Sequence, residues 1–111
     1  MKKKVFICSQ LRGEFEENIE KAKKYSRFAV LTGFLPITPH IYFTHFLNDN
    51  HKEEREIGMS LGRELLSACD ELWIFGEIIS EGMKLEIELA KGLNIPVLNK
   101  SKEFSNWEKE R

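Results

Sequence analysis

Leu72-Trp73-Ile74-Phe75-Gly76-Glu77-Ile78-Ile79-Ser80-Glu81-Gly82-Met83-Lys84-Leu85-Glu86, continued through Gly92 to Pro96-Val97-Leu98, reads as one strand, helix and strand in succession. Leu72 to Phe75 is an unbroken apolar run, too short for a helix, as in a strand buried on both faces. Gly76 opens an exit loop. From Glu81 to Lys91 the period becomes helical: at about 100° per residue, Glu81, Lys84, Glu88 and Lys91 share one arc. Gly82, Met83, Leu85, Ile87, Leu89 and Ala90 fill the rest. Gly92 stops this helix just past its last turn, and Pro96-Val97-Leu98 returns as a strand. A strand, helix, strand unit of this length is a right-handed crossover between parallel strands.

The pattern extends upstream. Val5-Phe6-Ile7-Cys8 is another buried run, closed by the polar turn Ser9-Gln10-Leu11-Arg12-Gly13. Residues 14–32 read as a helix whose apolar face carries Phe15, Ile19, Ala22, Ala29 and Val30, and Gly33 ends it. Phe34 to Pro39 reads as a short strand, and residues 40–50 as a loop rich in aromatic residues and histidine. A helix follows from about His51 to Cys69, with Ile57, Leu61, Leu65 and Ala68 as its inner stripe. Gly58 and Gly62, one turn apart, mark a close helix contact, internal or between subunits. The tail from Ser101 reads as a short helix docking by Phe104 and Trp107. The order β-α-β-α-β-α-β plus a C-terminal helix predicts an α/β fold: a Rossmann-like, three-layer αβα sandwich with a short, mostly parallel four-stranded sheet. Ligands of such sheets bind beyond the carboxyl ends of the strands, where strand order reverses. The segments 9–13, 39–46 and 76–82 are expected there.

Composition narrows the function. The chain has 111 residues, read as one domain over 1–111, with 41% hydrophobic and 32% charged residues. That is the profile of a globular protein. With 17 basic against 18 acidic residues, no cationic excess exists to neutralise a nucleic-acid backbone. No apolar stretch approaches a membrane span, and no signal-peptide pattern follows Met1. Cys8 and Cys69 fit neither a disulfide framework nor a metal pair and read as buried thiols. His40, His45 and His51 show no metal-ligand spacing, and no cofactor is expected. A cytoplasmic protein is the expectation.

Several residues stand out chemically. Glu86 sits near the middle of the apolar arc of its helix. A carboxylate there is paired, protonated or open to a ligand cavity. It is either an ordinary buried salt bridge, to Arg12 or Arg63, or part of a site. Ser80 is a natural N-cap. With Gly82 it also offers an anion a hydroxyl and free backbone N–H groups. Arg12 and Gly13 either receive a phosphate or simply start a helix. Neither a G-x-G-x-x-G nor a G-x-x-x-x-G-K-[ST] pattern is present. Asp70, at a helix C-terminus, opposes the dipole and needs compensation, from a turn hydrogen bond or from a role in a site. His40 follows a strand at the expected ligand edge. Tyr42, Phe43 and Phe46 form either a lid that stacks on a base or a satellite core under the loop.

These residues carry a resemblance to the nucleoside 2-deoxyribosyltransferase-like family, and to its small branch of phage and bacterial domains. It spans Val5 to Gly13, Gly33 to His40, Cys69 to Gly76 and Ser80 to Glu86. In that family a glycine followed four residues later by a glutamate marks the nucleophile. The resemblance therefore implies Glu86 as nucleophile after Gly82, and Asp70 as the active-site aspartate. In the related deoxynucleoside 5′-monophosphate N-glycosidases a serine two residues before the glycine binds phosphate, and Ser80 matches it. Their first loop resembles Cys8-Ser9-Gln10-Leu11-Arg12-Gly13, with Gln10 standing where they carry a phosphate-binding serine and Ser9 beside it. The resemblance implies cleavage or transfer of the N-glycosidic bond of a nucleoside or nucleoside monophosphate, with Glu86 and Asp70 catalytic. Ser9, Gln10, Arg12, Gly13, His40, Ser80 and Gly82 are the implied substrate-binding residues. The family also implies a homo-oligomer. The alternative is a non-catalytic module that holds a nucleotide signal or metabolite.

Overall fold

The computed structural model describes residues 1–111. Its elements run β1 (Lys4–Cys8), α1 (Phe15–Leu31), β2 (Leu35–Ile37), α2 (Pro39–Phe43), α3 (Lys52–Ser67), β3 (Glu71–Ile74), α4 (Glu81–Gly92), β4 (Val97–Asn99) and α5 (Ser101–Lys109). The four strands form one sheet in the order β2-β1-β3-β4, and every neighbouring pair is parallel. The chain leaves β1 toward one edge and later returns to its other side, so strand order reverses between β1 and β3. Pro36 lies in β2, an edge strand where a missing N–H is tolerated.

Side-chain alternation along β1 and β3 divides the core in two. Phe6, Cys8, Leu72 and Ile74 face Leu66, Cys69, Met83 and Ala90, on the side of α3 and α4. Val5, Ile7, Trp73 and Phe75 face Phe28 and Ala29, on the side of α1 and α5. Both faces of the sheet are covered, which gives the expected three layers. The tail docks as its two rings require, with Phe104 and Trp107 packed against the α1-side cluster. Cys8 and Cys69 are free, buried thiols. No helix is long and apolar enough to cross a membrane.

Three details differ from the sequence reading. The expected loop after β2 begins with a helix, α2, because Pro39 occupies its first turn, where a fixed φ and an absent N–H suit helix initiation. On α3 the expected inner stripe faces outward: Ile57 is 51% exposed, and Leu61, Leu65 and Ala68 are exposed too. The inward residues are Gly62 and Leu66. Gly62 and Gly58 lie on the same inward side: a Cβ on Gly62 would be in van der Waals contact with Pro39 at 3.6 Å, and one on Gly58 with Leu47 at 3.5 Å. The close contact they mark is internal, seating α2 and the loop after it against α3. On α1, Asn18, Ala22, Phe28 and Ala29 are buried, while Phe15 and Val30 are exposed.

Candidate active site

A cavity of about 450 Å³ opens at the carboxyl ends of the strands, walled by the end of β1, by α2 with its following loop, by α3 and by the first turns of α4. Glu86, Ser80, Gly82, Ser9, Arg12 and His40 all line it. Gln10 borders a smaller neighbouring cavity of about 280 Å³, which shares Ser9 with the first. Gly13 lines neither; at φ 99° it turns the chain into α1, a conformation glycine adopts without strain.

Glu86 is half-buried in the second turn of α4. Burial pushes its carboxyl up to about 7, against the opposing pull of the Cys8 thiol and of the Arg63 charge. Neither Arg63 nor Arg12 forms an ion pair with it. The carboxyl is thus poised between its two protonation states near neutral pH, in front of open space.

The start of α4 adds donors. Ser80 caps the helix, its Oγ accepting from the Met83 N–H at 3.3 Å. The N–H groups of Glu81 and Gly82 belong to the first turn and have no partner inside the helix. Nothing lies within 4 Å of the point where a Cβ of Gly82 would be, so its backbone is open to the cavity. Across from it, Ser9 is only 4% exposed, yet its Oγ has no hydrogen-bond partner. An orphaned hydroxyl costs free energy unless a ligand or water meets it. Its carbonyl is satisfied by His40 Nε2 at 2.8 Å. Tyr42, Phe43 and Phe46 pack edge to face on one another at 5.1 to 6.0 Å. Of the three, only Phe43 reaches the cavity.

Asp70 is not in this site. It precedes β3 and sits at the amino edge of the sheet. Its N–H donates to the Lys4 carbonyl at 2.8 Å, and its Oδ2 accepts from the Lys4 N–H at 2.8 Å. The length of β1 separates it from Cys8 and hence from Glu86, about 13 Å at ~3.3 Å per residue. The expected grouping of Asp70 with Glu86 and Ser80 does not form, because a residue that leads into a parallel strand emerges opposite the ligand edge. What compensates it is this pair of bonds to Lys4 of β1, made across the sheet and not within a turn.

The structure adds residues that motif reading passed over. Arg55, Gly58, Met59, Gly62 and Arg63 present one face of α3 to the cavity. Their spacing of three and four residues is the available sequence signal, with the two glycines marking the inward side.

Residues 3–100 match the family model described as a domain of unknown function, DUF7768. The chain belongs to the DUF7768 family. No curated protein matches this DUF7768 chain. Among solved structures it is similar to a 2-deoxyribosyltransferase from the psychrotolerant bacterium Bacillus psychrosaccharolyticus, with a TM-score of 0.63 and 17% identity over 88% of this chain and 73% of that one. That likeness shows the fold: the α/β architecture expected from the motifs is the architecture of a deoxyribosyltransferase.

Proposed function

We propose that this DUF7768 domain cleaves or transfers the N-glycosidic bond of a nucleoside or nucleoside monophosphate, with Glu86 as nucleophile. The observation that carries the reading is the Glu86 carboxyl facing a nucleoside-sized cavity at the strand-order reversal of a deoxyribosyltransferase-like fold. A Glu86 oxygen donates an electron pair to the anomeric carbon. The carbon–nitrogen bond breaks, and its pair leaves with the base. Water, or a second base, then attacks the same carbon, and the ester bond breaks with its pair returning to Glu86. The proton that the attacking water or second base gives up ends on the departed base. This is the double displacement of retaining glycosidases. Ser80, the open α4 N–H groups, Arg12 and the unpartnered Ser9 hydroxyl suit a 5′-phosphate or ribose hydroxyls. The reading is of a cytoplasmic enzyme needing no cofactor. It is also of a homo-oligomer, supported by the exposed row Ile57, Leu61 and Leu65 on α3.

The test is release of free base from a panel of nucleosides and monophosphates, with Glu86→Ala in parallel. Base release by the wild type and its loss in Glu86→Ala support the reading. No release from any substrate sinks it. A second reading, a nucleotide-binding module without turnover, draws on the raised pKa of that carboxyl, about 7, whose protonated form donates a hydrogen bond to a ligand. Ligand-induced stabilisation without base release favours it.

A further inference from the structure

The chemistry above leaves the departing base without assistance, because Asp70 lies at the other edge of the sheet. Three arginines line the cavity, Arg12, Arg55 and Arg63, and no ion pair in the chain engages any of them. Guanidinium groups around a cavity without carboxylate partners are set to meet charge or carbonyl oxygens on a ligand. Arg63 differs from the other two in acting on Glu86, which it does from beyond ion-pair distance. The two residues sit on different helices, α3 and α4, that wall the same cavity. Both line one cavity without forming an ion pair, so a ligand held there lies in reach of both side chains. Arg55 lies two turns earlier on α3, about 12 Å along the axis, and is not positioned for the same task. Met59, one turn before Arg63, and Leu85, beside Glu86, give this part of the cavity apolar walls suited to a flat ring.

We propose that Arg63 is a catalytic residue of this site, its guanidinium hydrogen-bonding the base and stabilising the negative charge that collects on the ring as the glycosidic bond breaks. The inference rests on the reading of Glu86 as nucleophile. An arginine has no proton to give near neutral pH. The base therefore departs as an anion: the pair of the broken carbon–nitrogen bond stays on the ring, and the ring takes its proton from water afterwards. This selects a substrate class. Pyrimidine-2,4-diones, the uracil and thymine type, spread that charge over two carbonyl oxygens that a forked guanidinium can meet. Purines, whose departure is eased by prior protonation of the ring, gain less from Arg63.

The test is the rate of base release in single turnover from 2′-deoxyuridine and its 5′-monophosphate, each unsubstituted and with electron-withdrawing substituents on the ring. Wild type, Arg63→Gln and Arg63→Lys are compared, with melting temperatures recorded for all three. Arg63→Gln is expected to slow the unsubstituted substrate by roughly 100- to 1,000-fold, the usual loss for one preorganised charge-stabilising donor. The most acidic base should be slowed far less, and Arg63→Lys should recover part of the rate. A loss equal across the series, or no loss, overturns the proposal while leaving Glu86 in its role. If the wild type releases no base, or Glu86→Ala still releases it, the nucleophile reading falls and this proposal falls with it.

Discussion

His40 Nε2 lies 2.8 Å from the carbonyl oxygen of Ser9, joining the start of α2 to the end of β1. A carbonyl only accepts, so Nε2 carries the hydrogen and Nδ1 keeps its lone pair. Burial holds the His40 pKa below its usual range, so the folded ring stays neutral. His40→Phe strips the partner from a buried carbonyl and is expected to cost about 1–2 kcal/mol. The sign with pH follows from the lowered pKa. Below about 6.5 the unfolded chain binds a proton that the folded chain refuses, so stability falls as pH drops through that value. Denaturant unfolding at pH 7.5 and pH 5.5 checks this: the cost of His40→Phe should shrink at the lower pH.

Glu86 carries the opposite dependence. Its folded pKa, about 7, lies above the ordinary 4.5. The folded state therefore holds an extra proton between those values, and stability from this group is lost as pH rises through them. Glu86→Gln removes the cost of ionising a half-buried group. It should stabilise the protein by about 3 kcal/mol at pH 8 and hardly at all at pH 4.5. Base release needs the ionised form, so wild-type rate should climb as pH passes about 7, and Glu86→Gln should be inactive at every pH. A pH–rate profile beside a pH–stability profile reads both.

Asp70 serves the sheet. Its carboxylate and its N–H close a pair of bonds on Lys4 at 2.8 Å each. Asp70→Ala is expected to cost about 1–2 kcal/mol in unfolding free energy, with base release per folded molecule unchanged. A large fall in rate at full folding would contradict this placement.

The exposed row on α3 predicts self-association. Leu61→Glu sets a charge among Ile57 and Leu65, both exposed. It should lower the mass measured by light scattering to that of one chain, without lowering the far-ultraviolet helical signal. An unchanged mass, whether of one chain or several, counts against the row as an interface.

Much of this arrangement is legible in the sequence. Buried strands announce themselves as short apolar runs, and Glu86 announces itself by standing on the wrong arc of an amphipathic helix. Two features mislead. On α3, hydrophobicity favours Ile57, Leu61 and Leu65 for the interior, whereas the side turned to Pro39 of α2 and to Leu47 carries Gly62 and Gly58. Asp70 misleads for a topological reason: closeness to a strand in sequence does not say which end of the strand it joins. Arg63 is hard to read, since a long polar side chain on a helix looks alike whether it borders water or a cavity.

The family likeness ends at residue 100, before α5 begins. Yet Phe104 packs edge-on against Phe28 at 5.6 Å and Phe75 at 6.0 Å, and Trp107 lies 5.4 Å from Phe28. The stretch that matches the family model thus stops short of the unit that keeps its own oil dry. A chain cut at that border would bare an aromatic wall and stick to its copies.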